Sequence, residues 1–202
     1  MIIGITGGIG SGKTTISQMF KNLGAFTLEA DKLSREVLYP YSTPYCHIIV
    51  YYGNKIIMKD HFINRKLLRK YAFSDRKVLK VLEKIIHPYV IGLGIKKIYE
   101  KFGENHKNQI IIFDIPLLIE ANLISLVDKI VVVYAKKSQQ KERIIKRDKL
   151  DEKEAEKLIS LQLSILEKIK FCDYIIDNSC SLDKTFYQVK KLFQLFLKMV
   201  DN

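Results

Sequence analysis

The chain has 202 residues, a natural size for one α/β domain with insertions and long enough to bury a sizeable core. Hydrophobic residues make up 48% of it without any apolar run of membrane-spanning length, so we predict no membrane association. An excess of 34 Lys and Arg over 22 Asp and Glu gives a formal charge of +12, which favours polyanionic partners without choosing between nucleic acid and phosphorylated small molecules.

Cysteine and histidine usage predicts neither disulfides nor a zinc site. Cys46, Cys172 and Cys180 are odd in number and show no C-x-x-C spacing, which fits a reducing compartment. The histidines are scattered along the chain and form no metal-ligand pair. The N-terminal residues carry no signal-peptide pattern, so we expect a cytoplasmic location.

The most specific motif lies at the start of the chain. An apolar run at residues 1–5 leads into T-G-G-I-G-S-G-K-T-T at residues 6–15, which satisfies G-x-x-x-x-G-K-[ST]. In this motif backbone N–H groups converge on phosphate oxygens, and the following helix adds its positive N-terminal dipole. Lys13 can reach the β/γ-phosphates, and the Thr14 hydroxyl can bind a Mg²⁺ ion that bridges them. The alternative is a glycine-rich turn that merely joins strand to helix; the complete motif favours a nucleoside triphosphate site.

A helix, a second strand and a carboxylate follow the loop. Residues 15–23 have the apolar spacing of a helix face, and residues 25–28 are predicted as a strand. Asp31 comes at the carboxyl end of that strand, where open α/β sheets place ligands, and Arg35 lies one turn later in a helix predicted at residues 31–38. Asp31 can cap this helix or accept a proton from an attacking hydroxyl, and the two roles are compatible.

Residues 61–106 form a predicted helical insertion between the second and third strands. Three helices are expected, at residues 64–73, 75–86 and 88–102, with Pro88 at the first position of the last one. An insertion of this kind suggests a separate lobe for a second substrate. Its candidate phosphate contacts are Arg65, Arg69, Arg76 and His87. The alternative is that these charges belong only to solvated helix faces, as most such charges do.

The third strand is predicted at residues 109–114, an apolar run that ends in Asp114 and is typical of a buried parallel strand. A carboxylate in this position assists magnesium in many P-loop proteins, often through water, and Asp114 is a candidate for that role. Pro116 prevents residues 115–120 from continuing as a central strand, so we expect them to turn over the site. Residues 128–134 repeat the buried-strand pattern.

A charged helix is predicted at residues 138–149, inside a lid segment at residues 136–150. Arg143 and Arg147 are four residues apart, so both project from one helical face. Arginines on a mobile helix over ATP can neutralise charge on the transferred phosphoryl group, whereas the alternative is a solvated amphipathic helix. Three further elements are expected downstream: a helix at residues 151–171, a strand at residues 173–178 and a helix at residues 182–199.

The motifs agree as a set, and their combination is far more specific than the phosphate loop alone. They are the glycine-rich opening, Glu29-Ala30-Asp31 with Arg35, Ile63-Asn64-Arg65, His87-Pro88, P-L-L-x-E at residues 116–120, Gln140 with Arg143 and Arg147, Gln162 with Lys168, and Ile176-Asp177-Asn178. With these motifs the chain closely resembles the dephospho-CoA kinase family over residues 2 to about 195.

The resemblance implies an α/β fold of the P-loop NTPase type. This is a three-layer α/β/α arrangement with a five-stranded parallel sheet, a helical substrate-binding insertion and a lid helix, in a single kinase domain over residues 1–202. It implies transfer of the ATP γ-phosphoryl group to the ribose 3′-hydroxyl of dephospho-CoA, with Mg²⁺ as the cofactor. The catalytic residues implied are Asp31 as general base, Arg143 as lid cation, and Lys13.

The resemblance also implies the binding residues. For ATP they are Gly8, Gly10, Ser11, Gly12, Lys13, Thr14, Thr15, Arg143 and Arg147, with Thr14 also on the metal. For the acceptor they are Asp31, Arg35, Arg65, His87, Pro116, Leu117 and Glu120. We expect ATP and dephospho-CoA as partners, no nucleic acid and no membrane, and a monomer or weak homo-oligomer.

Several positions depart from the family pattern. They are Glu29 and Asn64 in place of Asp, Tyr39-Pro40-Tyr41 in place of a Glu-Pro-Gly-like turn, Lys157 in place of Arg and Cys180 in place of Gly. If the glycine at the last of these positions has φ > 0 in the family, the loop near adenine must be built differently here. None of the departures falls on the predicted chemistry.

Three other functions are weaker alternatives. A GTPase switch needs D-x-x-G after the third strand and N-K-x-D for guanine, and the sequence has neither. Another nucleotide or nucleoside kinase would share the phosphate loop and lid, but the elements at residues 116–120 and 87–88 argue against it. A nucleic-acid-binding ATPase could use the +12 charge, although the sequence shows no recognition module.

Overall fold

The computed structural model describes residues 1–74 and 76–200, and they divide into two compact units. One unit is formed by residues 30–103, and the other contains the described residues on either side of that range. The first unit includes the helix that carries Asp31 as well as most of the predicted insertion. The second unit contains the glycine-rich loop and the sheet, and we call it the sheet unit.

The sheet unit is built on five strands. They are β1 (Ile2–Gly7), β2 (Phe26–Glu29), β3 (Ile111–Asp114), β4 (Lys129–Tyr134) and β5 (Tyr174–Asp177). Their order across the sheet is β2-β3-β1-β4-β5, and each neighbouring pair is parallel. The predicted five-stranded parallel sheet is therefore confirmed. β1, β3 and β4 are nearly continuous apolar runs because their residues are buried in the interior of the sheet.

The register places the carboxyl ends of the strands at one edge of the sheet. Ile5 of β1 pairs with Asp114 of β3, and Asp114 also pairs with Glu29 of β2. On the other side of β1, Gly7 pairs with Val133 of β4. The loop that follows Gly7 thus leaves the sheet between β3 and β4, at the edge where open α/β sheets bind ligands.

Helices connect the strands. They are α1 (Lys13–Asn22), α2 (Ala30–Val37), α3 (Thr43–Tyr52), α4 (Arg65–Ser74), α5 (Arg76–Phe102), α6 (Lys137–Asp148), α7 (Glu152–Ser160), α8 (Ile165–Ile169) and α9 (Leu182–Val200). Short 3₁₀ helices occupy Asn54–Ile56, Gly103–Asn108 and Ile124–Leu126. In the part of the chain that the structure describes, no helix combines the length and apolarity needed to cross a membrane.

The core of the sheet unit joins the strands to α1 and α9. Phe20 of α1 lies between two rings of α9, with centroid distances of 6.4 Å to Phe193 and 6.3 Å to Phe196. These rings share one buried cluster with strand residues such as Ile3 and Val131. Complete burial stabilises a side chain of this size by about 1.5–3 kcal/mol. The cluster thus anchors α1, and with it the end of the glycine-rich loop.

The unit of residues 30–103 has an apolar core of its own. Its buried members are Leu38, Tyr45, Ile48, Tyr52, Ile56, Ile63 and Leu68. Ser42 caps α3, since its hydroxyl accepts a hydrogen bond from the amide of Tyr45 at 3.4 Å and donates one to the carbonyl of Val37 at 2.7 Å. The same hydroxyl therefore links the end of α2 to the start of α3.

The predicted break before Pro88 is wrong, because α5 continues through this residue as one helix. The predicted start of the preceding helix at Asp75 lies outside the described residues. A proline inside a helix removes one hydrogen bond and crowds the carbonyl four residues earlier. α5 packs against α2, α3 and α4, and this packing outweighs the local cost.

The prediction of one helix over residues 151–171 is also wrong. α7 ends at Ser160, and α8 begins at Ile165 with Ser164 as its cap, whose hydroxyl accepts from the amide of Glu167 at 3.2 Å. The two residues before this cap make hydrogen bonds to distant parts of the sheet unit. Such tertiary contacts interrupt a helix without changing the apolar periodicity of the sequence.

Replacing Pro88 with Ala should raise the free energy of unfolding by about 1–3 kcal/mol, because the amide of residue 88 can then bond inside α5. Pro44→Ala is the matched control, since Pro44 lies in the first turn of α3, where a proline sacrifices no hydrogen bond. Urea denaturation of both variants measures the difference. The same change in the free energy of unfolding in both variants would contradict this account of α5.

Candidate active site

The loop between β1 and α1 has a backbone conformation that glycine favours. Gly7, Gly10 and Gly12 have φ values of 150°, 75° and 94°. The amide of Ser11 donates to the carbonyl of Gly8 at 3.1 Å and closes the turn. α1 starts directly after the loop, and its N-cap residue, Gly12, has no side chain with which to cap it. Its first-turn N–H groups and its dipole make this end of the loop a site for anions.

Two neighbouring segments approach the loop so closely that they leave no room for side chains at its glycine positions. A Cβ added to Gly8 would collide with Oε1 of Gln140, and one added to Gly10 would lie 2.6 Å from the Gln140 carbonyl oxygen. A Cβ added to Gly12 would collide with Nδ2 of Asn178. Both partners are buried, Gln140 in α6 and Asn178 directly after β5. The loop is thus enclosed by α6 on one side and by the end of β5 on the other.

The two side-chain amides that enclose the loop are themselves fixed. Nε2 of Gln140 donates to the carbonyl of Ala135 at 2.8 Å. Nδ2 of Asn178 donates to the carbonyl of Ser11 at 2.8 Å, and its Oδ1 accepts from the hydroxyl of Thr185 at 3.2 Å. Both residues belong to the motif set, but neither was predicted from the sequence to have a role in the site. The signal that could have found Asn178 is its position at the carboxyl end of a parallel strand.

The predicted phosphate-binding lysine lies folded over the loop. Lys13 Nζ donates to the carbonyls of Gly7 and Gly8, each at 3.0 Å. The nearby Ser11 is fully buried, and its hydroxyl has no hydrogen-bond partner among the described residues. Buried polar groups normally have partners, so a ligand oxygen that reached this hydroxyl would be bound favourably.

The structure brings Arg143 of α6 to the same loop. Its guanidinium donates to the carbonyl oxygens of Gly10, Ser11 and Asn178, at 3.2, 3.4 and 3.2 Å respectively. Arg147, one turn later, instead forms a two-point ion pair with Asp148 at 2.9 and 2.8 Å and is mostly exposed. The two predicted lid arginines therefore have different surroundings despite their shared helix face.

Oxygen ligands suited to magnesium lie at the start of α1 and at the end of β3. Thr14 and Thr15 are exposed in the first turn of α1. Asp114 is buried, and one of its carboxylate oxygens accepts from the hydroxyl of Ser17, one turn beyond Thr14, at 3.2 Å. The described residues contain no group of three or more His, Cys, Asp or Glu that could hold a metal. A Mg²⁺ ion commonly takes one or two protein oxygens and completes its shell with phosphates and water, so this donor set fits it.

The predicted acceptor turn at residues 116–120 is tied to a buried lysine. Lys168 of α8 is fully buried, and its Nζ donates to the carbonyl of Pro116 at 3.1 Å and to the carboxylate of Glu120 at 2.8 Å. Burial lowers the pKa of Lys168, and the charge and hydrogen bond of Glu120 oppose that shift. The hydroxyl of Thr6 donates to the same Pro116 carbonyl at 3.0 Å. Leu117 is partly buried in this turn.

Three predicted acceptor residues form a charged group in the unit of residues 30–103. Asp31 and Arg35 are exposed one turn apart on α2, and Arg65 begins α4. The guanidinium of Arg65 donates to the hydroxyl of Ser34 at 3.5 Å. Burial and the charge of Arg35 lower the pKa of Arg65, whereas Asp31 raises it. Arg35, Asp31 and Arg65 therefore lie close enough to interact, and the two arginines and one carboxylate sum to a net positive charge.

His87 differs in character from this charged group. It is half-buried in α5, and burial lowers its pKa, so the neutral imidazole predominates near neutral pH. A neutral histidine can donate one hydrogen bond to a phosphate but adds no charge. The side chains of Arg69 and Arg76, the two other predicted phosphate contacts, lie outside the described residues.

Two departures from the family pattern concern turn backbone. Tyr41 has a φ of 67° in a turn that the amide of Ser42 closes by donating to the carbonyl of Tyr39 at 3.1 Å. This left-handed conformation costs a residue other than glycine roughly 1–2 kcal/mol. Cys180 is not among the residues of the described chain that have a positive φ. The loop after β5 thus needs no glycine at that position.

The chain is similar to known proteins along almost its whole length. The family model for dephospho-CoA kinase matches residues 1–184. A dephospho-CoA kinase of Fusobacterium nucleatum is 40% identical over 191 residues, which are 95% of this chain and 96% of that protein. The chain belongs to the dephospho-CoA kinase family.

Solved structures agree with this assignment. The dephospho-CoA kinase from Campylobacter jejuni has a TM-score of 0.69 and 27% identity, with coverage of 98% of this chain and 97% of that chain. A protein from Thermus thermophilus has a TM-score of 0.80 and 25% identity, with coverage of 96% of this chain and 97% of that chain. The predicted P-loop kinase fold is confirmed.

The geometry adds contacts that the dephospho-CoA kinase motifs alone did not reveal. Gln162 and Lys168 were recognised only as members of the motif set. In the structure Oε1 of Gln162 accepts from the amide of Ile9 at 2.7 Å, at the tip of the glycine-rich loop. Lys168 pairs with Glu120, as described above. These partners are far apart in the chain, so no local spacing rule could have paired them.

Replacing Lys168 with Met should lower the free energy of unfolding by roughly 3–5 kcal/mol, because the largely buried Glu120 then loses its countercharge. The double variant Lys168→Met with Glu120→Met removes both charges and should recover most of that loss. Guanidinium denaturation of the two variants and the wild type measures the effect. A double variant no more stable than the single one would assign the loss to packing instead of charge.

Proposed function

We propose that this chain transfers the γ-phosphoryl group of ATP to the ribose 3′-hydroxyl of dephospho-CoA, giving CoA and ADP. The proposal rests on a glycine-rich loop whose carbonyl oxygens accept hydrogen bonds from two cationic side chains, Lys13 and Arg143, in a chain of the dephospho-CoA kinase family. Both substrates carry several negative phosphate charges, so the formal charge of +12 on the chain would attract them.

The nucleotide would bind with its phosphates on the loop that follows β1. Backbone N–H groups of the loop and the start of α1 would meet phosphate oxygens, and Lys13 and Arg143 would exchange carbonyl partners for phosphate oxygens. Each cation would then face an anion instead of a neutral carbonyl oxygen, so charge–charge attraction adds to the hydrogen bond and favours this exchange. Arg143 would then neutralise the charge that develops on the transferred group. Arg147 would first have to leave Asp148, so we assign it a smaller part.

The acceptor would react at the charged group of α2 and α4. Asp31 would take the proton from the 3′-hydroxyl of dephospho-CoA. The oxygen of this hydroxyl would form a bond to the γ-phosphorus, while the bond between the γ-phosphorus and the leaving ADP breaks. Arg35 and Arg65 would bind the phosphates of dephospho-CoA, since their combined charge exceeds that of the single carboxylate. The remaining proposed acceptor contacts are His87, Pro116, Leu117 and Glu120.

Two conditions of the reaction follow from the residues. A Mg²⁺ ion would be held by the Thr14 hydroxyl, with Asp114 assisting through water, and when bound it supplies positive charge to the β- and γ-phosphates. We also infer a cytoplasmic location. It is supported by Cys46, Cys172 and Cys180, which are free thiols in the structure, as a reducing compartment keeps them.

The proposed reaction is tested by ATP-dependent ADP release with dephospho-CoA, beside a panel of nucleoside monophosphates and a control without acceptor. We expect turnover with dephospho-CoA alone, and a product with one new phosphate on the 3′-hydroxyl. Turnover only with a monophosphate would overturn the substrate. ADP release without any acceptor would favour an ATPase.

In the same assay Asp31→Asn should reduce turnover by roughly 10²–10⁴-fold, because the amide cannot accept the hydroxyl proton. ATP affinity, measured by calorimetry without acceptor, should stay close to that of the wild type. Turnover like that of the wild type would remove Asp31 from the role of base.

Arg143→Ala should reduce turnover by roughly 10³-fold and weaken ATP binding much less, because the lid charge matters most in the transition state. Arg147→Ala is the matched control on the same helix face, and we expect a far smaller loss because its guanidinium is paired with Asp148. Steady-state kinetics and calorimetry separate the two effects. Equal losses in both variants, or a loss confined to ATP affinity, would contradict the assignment.

A further inference from the structure

The segment between α7 and α8 touches the glycine-rich loop at its tip. Oε1 of Gln162 accepts a hydrogen bond from the amide of Ile9 at 2.7 Å. Ile9 stands between Gly8 and Gly10, so this bond holds the loop in the middle of its most glycine-rich part. Gln162 is only partly buried and carries no charge, and none of the chemistry proposed above uses it.

The loop depends on such outside contacts because its own backbone is permissive. Glycines lose more conformational freedom on ordering than other residues, and three of them here have positive φ values. Converging N–H groups bind phosphate in one defined loop conformation, so the loop must be ordered either beforehand or by ATP itself. A hydrogen bond to the tip reduces the ordering that ATP binding would otherwise have to supply.

A buried ion pair fixes the segment that carries Gln162. The amide of Leu163, the next residue, donates to Oε1 of Glu120 at 3.2 Å. The same carboxylate pairs with the fully buried Lys168, whose Nζ also reaches the carbonyl of Pro116. Thr6, at the end of β1, donates to that carbonyl as well.

This network returns to the strand from which the loop starts. From Thr6 it passes through the Pro116 turn and the Lys168–Glu120 pair to Gln162 and then to Ile9. A buried ion pair is weak evidence for stability, since desolvation offsets much of its attraction. Its better-supported effect is to define one arrangement of the groups around it, which is the property that a glycine-rich ligand loop needs.

We propose that Gln162 is a positioning residue for nucleotide binding, which acts through the amide of Ile9 and is held in place by the Lys168–Glu120 pair. The inference rests on the proposed function, because it takes the glycine-rich loop as the ATP site. Gln162 need not touch ATP. Its removal should weaken ATP binding while leaving the acceptor side unchanged.

The test uses Gln162→Met, which keeps the length of the side chain and removes the acceptor oxygen. Calorimetric titration with ATP and magnesium, without dephospho-CoA, should give a Kd raised about tenfold, the effect of losing one hydrogen bond. In steady-state assays the KM for ATP should rise by a similar factor, and the KM for dephospho-CoA should stay the same.

Ser164→Ala is the matched control. It removes the cap of α8 two residues away, but it leaves the Gln162 oxygen that binds Ile9 and the hydrogen bond from Leu163 to Glu120 that holds Gln162. We expect its Kd for ATP to equal that of the wild type. A tenfold rise in this control as well would overturn the proposal, because general loosening of the segment would then explain the effect.

The remaining outcomes distinguish a failure of this inference from a failure of the proposed function. Equal ATP affinity in Gln162→Met and the wild type would overturn the inference and leave the proposed function intact. A wild type that binds no ATP would overturn both. If Gln162→Met does not fold, Gln162→Asn takes its place, since its shorter side chain withdraws the oxygen from Ile9 and should raise the Kd in the same direction.

Discussion

The rest of the site depends on how closely neighbouring segments approach the glycine-rich loop, whose glycines have no side chains to keep them away. The carbonyl of Gln140 and the amide of Asn178 come within contact distance of loop glycines, where a single methyl group would collide with them. α6 can therefore deliver Arg143 to the loop, and the end of β5 can close its other side. The position of β1 between β3 and β4 sends the loop to the edge where these elements meet.

Ion pairs in the sheet unit differ in what they contribute. Lys141 of α6 pairs with Glu152 and Glu156 of α7, and both carboxylates are more than half exposed. Such exposed pairs add little to stability and weaken with salt, so they hold α6 to α7 only loosely. The Lys168–Glu120 pair is largely shielded from water and fixes the order of contacts around it. The glycine-rich loop is thus supported by the buried Lys168–Glu120 pair and not by the exposed pairs of Lys141.

The sequence predicted the parts of the fold that follow from local pattern. Strands with continuous apolar runs, such as the one ending at Asp114, and the G-x-x-x-x-G-K-[ST] loop were recognisable because periodicity and glycine spacing are local properties. Pro88 misled the prediction because the packing of α5 overrides a local helix-breaking preference. The break at residue 162 was missed for the opposite reason, since contacts to Ile9 and Glu120 interrupt a pattern that locally favours a helix.

The missing side-chain cap of α1 would couple ligand binding to the stability of the protein. Gly12 offers this helix no side-chain acceptor, so a bound phosphate group would complete hydrogen bonds that the fold itself leaves to its ligand. A ligand that binds only the folded form stabilises it in proportion to the logarithm of its concentration. The protein with such a ligand bound would thus resist unfolding, and the proteolysis that follows unfolding, better than the same protein without it.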